Sequence, residues 1–369
     1  MRALVMHEVG VPPVVEEIAD PRPQRGEVLV KVVATGVCHS DLHVLKGELR
    51  FPLPCVLGHE ISGVVAELGE GVTNVAVGDR VASPFIMPCG FCEFCARGEE
   101  DLCATWLAEN RGKGALYDGT SRLAALDGSS IAMYSMAGFA EYSVVPATAV
   151  FKVPDELALE DCSVLGCATF TAFGMLRHAA RLHAGETIAI VGTGGVGSAA
   201  IQLAGVFGAS RVIAIDIRGD KLEAARLLGA TDLVNAAEVD VGEAVRELTA
   251  GRGVDIAVEA FGHPATVESA LAAVRAGGRV ALAGLAPHGA EARFEITPLV
   301  RRKISILGSF GGRARTDMPI LLSLAAQGRI DPGRFISRRY PIGEASAAFD
   351  ALERGEVIGR SIIVADDAA

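Results

Sequence analysis

Cys38, in Gly36-Val37-Cys38-His39-Ser40-Asp41, and His59, in Gly58-His59-Glu60, offer a thiolate and an imidazole flanked by two carboxylates. That combination suits a soft divalent ion. Zinc accepts sulfur and nitrogen ligands, and a catalytic zinc keeps one position open. Two protein ligands are too few, and Cys167, in Leu165-Gly166-Cys167-Ala168, is the best candidate for a third. Taken alone, a Cys or His is more often packed in a core than bound to metal. The rest of the chain must shift those odds.

A second cluster is specific by itself. Cys89, Cys92, Cys95 and Cys103 follow the pattern C-x2-C-x2-C-x7-C, and four thiolates so close in sequence can close tetrahedrally on a structural zinc. An iron–sulfur cluster is the rival. The bacterial ferredoxin run places three residues before its last Cys and a Pro after it. Here the last gap is seven and Ala104 follows Cys103, so zinc is the better match. Of the eight cysteines, only Cys55 and Cys162 fall outside these groups, and both read as small buried hydrophobes. Such usage points to metal or catalysis rather than disulfides.

The third constellation is Gly192-Thr193-Gly194-Gly195-Val196-Gly197. A G-x-G-x-x-G match alone is weak. This one follows an apolar strand, Thr187 to Val191, and opens a helix expected to run to about Phe207. It is answered by Asp216 at the end of a strand from Arg211. In that setting it is a dinucleotide fingerprint: the glycines let the backbone approach a pyrophosphate at the helix N-terminus, and the acid holds ribose hydroxyls. Nearby Arg218 is of the kind that accommodates the extra phosphate of NADP. NAD is expected, because the carboxylate would be the closer group.

These residues need elements to hold them. Residues 1 to about 155 read as β-rich, with strands Glu27 to Thr35, Ile61 to Leu68, Asp79 to Ala82 and Phe139 to Val145 punctuated by Gly and Pro. Residues 104 to 138 form a long Gly-, Ser- and Asp-rich segment with a turn at Asp118-Gly119-Thr120-Ser121. Segments this long usually wrap a site or carry structure of their own. From about Ala168 the pattern alternates: helix Asp220 to Leu228, a strand near Leu233, helix Val241 to Ala250, strand Val254 to Glu259, helix Ala265 to Val274 and strand Arg279 to Ala283. That predicts a doubly wound parallel sheet. A helix near Met318 to Gln327, a strand at Arg338 to Pro341 and the ending Gly359 to Val364 do not continue it.

Composition sets outer bounds. The chain has 369 residues, half of them hydrophobic, enough for about two domains. A formal charge of −11 without a polybasic run argues against nucleic acid or an anionic membrane as partner. Met1 to Pro13 lacks a secretory apolar region, so a cytoplasmic location is expected. The uncharged stretch Thr187 to Ser210 is broken by its glycines and reads as strand, turn and buried helix rather than a membrane span.

Together, and in this order, these motifs resemble the zinc-dependent medium-chain alcohol dehydrogenases over essentially the whole chain. The resemblance implies an α/β protein. A GroES-like catalytic domain would span 1–167, with a structural zinc lobe at 89–103. A Rossmann domain would span 168–307, and 308–369 would return to the first domain. It implies two zinc ions per chain, the catalytic one held by Cys38, His59 and Cys167 with Glu60 close behind. Asp41 matches the carboxylate that orients the ligand His. Ser40 and His43 match a proton relay, and Thr171 and Val196 match positions beside the nicotinamide. Lys221 matches one near the ribose and Arg360 one near the pyrophosphate. Leu49 and Phe85, and with them Phe139, would line the substrate channel. His39 stands where many animal members carry an Arg on the pyrophosphate. The long 104–138 segment is similar to that of dimeric members, so a homodimer is expected over a tetramer.

The expected activity is hydride transfer between an apolar, aromatic or allylic alcohol and NAD. The nearest rival is a thiol-adduct formaldehyde dehydrogenase using a glutathione- or mycothiol-type carrier. Members with that activity carry an acid where this chain has Leu49. A non-catalytic binding protein on the same fold is the rival from another class, and it would usually lack a metal ligand.

Overall fold

The largely apolar run after Gly26 produces an eleven-residue strand, Glu27–Val37, buried along most of its length, in the computed structural model, which describes residues 1–365. This strand pairs antiparallel with Ile61–Leu68, Tyr142–Pro146 and Arg360–Val364. Arg80–Ser83 and Phe151–Lys152 extend the sheet on one side and Ile336–Pro341 on the other. A five-stranded sheet runs in the order Val14–Glu17, Arg2–Met6, Cys55–Val56, Ser130–Met133, Leu123–Ala124. These belong to one compact unit, Met1–Phe170 together with the chain from Arg313 onward. The ending strand pairs Ser361 with Val37 and Ile362 with Gly36. That register brings Arg360 beside Cys38.

The second unit, Thr171–Gly312, is a six-stranded sheet. Its order is Asp232–Asn235, Arg211–Asp216, Thr187–Val191, Val254–Glu259, Val274–Leu282, Ser305–Gly308, and every pair is parallel. The central strands are buried apolar runs, as a sheet covered on both faces requires. Helices Gly195–Val206, Gly219–Leu227, Val241–Leu248 and Pro264–Ala273 connect them. Asp240 caps the third by accepting from the Glu243 N–H at 2.8 Å.

Some expectations change. The Phe139–Val145 strand begins only at Tyr142, because Gly138 and Phe139 donate their N–H groups to Gly58 and Leu57 at 2.8 and 3.0 Å. The last helix of the alternating region stops at Ala273, and Val274 already opens the next strand. The 104–138 segment does carry structure of its own, a π-helical turn, Trp106–Arg111, and two short strands. A sixth parallel strand, Ser305–Gly308, has too few apolar residues to announce itself. The uncharged Thr187–Ser210 stretch is divided between a strand and a helix. Among the described residues no helix is long and apolar enough to cross a membrane.

Candidate metal centre and coenzyme loop

The Glu27–Val37 strand runs out at Cys38, the N-cap of helix His39–Leu45. One carboxylate organises this corner. Fully buried Asp41 accepts from the Cys38 N–H at 3.3 Å, the Gly58 N–H at 3.1 Å and His59 Nδ1 at 3.1 Å. A proton held on Nδ1 leaves Nε2 of His59 free for a metal. Burial disfavours charge on His59, but the Asp41 carboxylate and the Cys38 sulfur outweigh it and hold its pKa well above the usual value.

Cys38, His59, Glu60 and Cys167 each bring a ligand atom within 4.8 Å of the others, and all four are buried. The two sulfurs lie 4.0 Å apart. With Zn–S bonds of about 2.3 Å, a tetrahedral S···S edge is about 3.8 Å, so the donor set fits zinc. The contact with Cys167 and the nearby Arg360 charge push the Cys38 thiol down, and the same contact with burial pushes Cys167 up. Glu60 is fully buried, and burial raises its pKa to about 7 against the pull of Arg360. Neither of its carboxylate oxygens has a hydrogen-bond partner among the described residues, although Arg360 Nη2 lies 3.1 Å from Oε1. A buried carboxylate and two thiols around one guanidinium form a pocket that a divalent cation balances.

Arg360 donates to the sulfurs of Cys38 and Cys167 at 3.4 Å each. The resemblance implied a place near the pyrophosphate; the structure buries this side chain against the metal cluster instead. The Ser40 hydroxyl lies 3.7 Å from Cys38 Sγ. His39 is exposed at the first helical position.

Cys89, Cys92, Cys95 and Cys103 form the second cluster. Cys89 and Cys95 sulfurs are 3.9 Å apart, as are those of Cys92 and Cys103. Backbone N–H groups of Cys89, Cys92 and Trp106 point at sulfurs at 3.3–3.5 Å, which favours thiolates. Burial opposes ionisation of Cys92, Cys95 and Cys103: backbone hydrogen bonds still bring Cys92 down to about 6, whereas burial holds Cys95 and Cys103 above the usual thiol value. These spacings also suit tetrahedral zinc.

The His59 ring meets the edges of Phe85, with centroids 6.0 Å apart, and Tyr134, at 5.7 Å. Behind them, Trp106 and Phe170 each lie 6.0 Å from Phe85, and Phe51 lies 5.0 Å from Tyr134. Arg111 stacks over Tyr134 at 4.2 Å. Sequence reasoning found Phe85 but missed Trp106 and Tyr134. Both lie within or at the end of structure carried by the 104–138 segment, and the chain's only Trp was the available signal. Phe139, expected at the substrate channel, is a core residue packed on Phe349 at 5.6 Å. Its displacement follows from the backbone bonds that tie it to Leu57. Leu49 is half-buried, and its N–H donates to the His43 carbonyl.

In the second unit the glycine loop has its expected setting. Gly194 caps the Gly195–Val206 helix. A Cβ on Gly197 would stand 1.9 Å from the Gly192 carbonyl oxygen, so only glycine lets helix and strand approach this closely. Asp216 accepts from the Thr193 N–H and hydroxyl at 2.9 Å each, pinning the loop to the next strand. Arg218 is engaged by Asp220, with Nε to Oδ1 at 3.0 Å. Val196 and Lys221 are half-buried, and Thr171 is buried in helix Ala168–Gly174.

Known proteins match the chain along nearly its whole length. Residues 24–155 match the model of the alcohol dehydrogenase GroES-like domain, and residues 195–327 that of zinc-binding dehydrogenases. An S-(hydroxymethyl)glutathione dehydrogenase of Synechocystis is 37% identical over 98% of this chain and 99% of its own length. One from Photobacterium damsela is 36% identical over the same shares. An alcohol dehydrogenase zinc-binding domain protein from Burkholderia ambifaria superposes with a TM-score of 0.93 at 35% identity, covering 98% of both chains. The benzyl alcohol dehydrogenase of Acinetobacter calcoaceticus does so with 0.92 at 31% identity, covering 99% of both. With a cysteine–histidine cluster of zinc geometry, a four-cysteine lobe and a dinucleotide loop, the chain belongs to the zinc-dependent medium-chain alcohol dehydrogenase family and is an enzyme of zinc and NAD.

Proposed function

We propose that this enzyme interconverts an apolar primary alcohol of benzylic type and its aldehyde, with NAD as coenzyme. The observation that carries the reading is the aromatic cluster packed on His59, with Phe85 and Tyr134 in T-shaped contact with its ring. Cys38, His59 and Cys167 hold the catalytic zinc with Glu60 behind it, and Cys89, Cys92, Cys95 and Cys103 hold the structural one. Bound zinc supplies a Lewis acid that lowers the pKa of an alcohol, and NAD accepts the hydride. The chain's own residues do the rest. Asp41 fixes the His59 tautomer, and Ser40 and His43 pass the alcohol proton towards water. The Gly192–Gly197 loop seats the pyrophosphate. Asp216 receives the ribose hydroxyls, and with Arg218 engaged by Asp220 the preference is for NAD over NADP. A cytoplasmic homodimer fits the charge and the long 104–138 segment.

The second reading, a thiol-adduct formaldehyde dehydrogenase, is favoured by the names of the relatives at 36–37% identity. Leu49 counts against it. The neighbouring acid, Glu48, is bonded to His43 and so is not a free carboxylate awaiting a carrier. A panel of benzylic, allylic, short aliphatic and secondary alcohols, and formaldehyde with and without glutathione or mycothiol, separates the readings by NADH absorbance. Benzylic alcohols are expected to give the highest kcat/KM. Thiol-dependent formaldehyde oxidation exceeding every alcohol would replace this reading with the second.

A further inference from the structure

Helix His39–Leu45 is followed by a tight return that brings Glu48 onto His43, five residues earlier. Three bonds close this return. The N–H groups of Glu48 and Leu49 both donate to the His43 carbonyl oxygen, at 2.9 and 3.1 Å, and the Glu48 carboxylate bonds His43 Nδ1. Gly47 makes the turn with φ +74°, and a Cβ there would meet Val9 Cγ1 at 2.6 Å. The backbone thus holds the carboxylate against the ring. Lys46, on the same turn, is engaged by Glu353 at 2.7 Å, while Glu48 bonds His43. The His43 side chain is 20% exposed and that of Glu48 35%, so the pair reaches from the half-buried helix to water.

We infer that Glu48 is a positioning residue for proton transfer, holding His43 as the Nδ1–H tautomer. A carboxylate is acceptor-only, so Nδ1 must carry the proton in this bond, and the lone pair is left on Nε2. Without the carboxylate, nothing in this turn selects between the two nitrogens. The inference rests on the proposed dehydrogenase reading for its use. During alcohol oxidation Nε2 takes up one proton and Nδ1 keeps its own against the Glu48 carboxylate, which balances the imidazolium; the Nε2 proton then passes to water, restoring the Nδ1–H base. No electrons move in this step. Other residues at this corner have other duties: Asp41 serves His59, and Cys38 is a metal donor.

The test is made on the zinc-loaded full-length enzyme labelled with ¹⁵N-histidine, with the His43 signals identified by their loss in His43→Gln. The wild type is expected to show a protonated Nδ1 and a lone-pair Nε2, and Glu48→Ala to lose that bias. Glu48→Ala is also expected to lower kcat for alcohol oxidation about threefold to tenfold, a fraction of what positioned proton transfer contributes. KM should stay near wild type, and the substitution should add no further loss in a His43→Gln background. A wild-type ring protonated on Nε2, a Glu48→Ala spectrum that overlays wild type, or additive losses in the double variant would overturn the inference. Failure of wild type to oxidise any alcohol would sink the dehydrogenase reading instead, and the tautomer measurement would still decide the role of Glu48 at His43.

Discussion

Asp41 shows how much one side chain settles at this site. It is fully buried, and its stability there depends on the N–H groups of Cys38 and Gly58 and on the His59 ring. Removing its charge while keeping its shape isolates its effect on the metal. Asp41→Asn is expected to weaken zinc retention by about 10- to 100-fold, the usual range for a group that orients a ligand His. Competition with a chromogenic chelator measures this directly. Loss of one zinc from the variant at chelator concentrations that leave wild type loaded is the expected result, and indistinguishable release curves would refute the assignment. Glu60 presents the opposite case. It is a buried carboxylate whose oxygens find no hydrogen bond among the described residues, and its burial is sensible only beside Arg360 and a cation.

At the scale of elements, side chains at strand ends do the positioning. Asp255, on the Val254–Glu259 strand, accepts from the Thr187 N–H and hydroxyl at 2.8 Å each and from Arg275 Nε at 2.6 Å. It thereby ties three parallel strands together at the end away from the glycine loop. Burial works to raise the Asp255 pKa, but these donors outweigh it and hold the carboxyl below its usual value. A depressed folded pKa means that the contribution is complete above the unfolded value, near 3.9, and is lost as pH falls through the folded one. Asp255→Asn should therefore cost about 1–3 kcal/mol at neutral pH. The deficit should stay constant from pH 5 to 8 and close only below about pH 4. Thermal melts of the zinc-loaded protein across that range check it. A deficit that vanishes between pH 8 and 5 would assign it to some other group.

For the whole molecule, the two cysteine clusters have separable roles. Cys38→Ser is expected to remove one zinc and abolish turnover while the melting temperature stays close to wild type. Cys95→Ser should instead lower the melting temperature and promote aggregation, because the lobe from Cys89 to Cys103 has only two very short helical turns and a metal would be its main constraint. Metal analysis together with differential scanning fluorimetry distinguishes the pair. A single zinc per wild-type chain, or equal destabilisation by both substitutions, would be incompatible with one catalytic and one structural site.

Much of this architecture was legible in residue types and local spacing. The four-cysteine lobe, the glycine loop with its answering Asp216, and the strands Ile61–Leu68, Thr187–Val191 and Val254–Glu259 depend on short-range chemistry, and each begins and ends where the sequence suggested. The pairing of Cys38 with His59 could be proposed only in company with the four-cysteine lobe and the glycine loop, since a Cys or His alone is more often a packed core residue. Long-range pairing decided the rest. Arg360 reaches the thiols because the final strand takes a particular register beside Glu27–Val37, and no local pattern encodes a register between segments so far apart. Tyr134 and Trp106 meet the surroundings of His59 because an irregular segment folds back there, whereas Phe139 is drawn into the core by two backbone bonds. Glu48 meets His43 because the turn at Gly47 lays it there, a contact that no sequence pattern marked. Periodicity reports which face of an element is apolar; which side chains then converge depends on how distant backbones exhaust their hydrogen bonds.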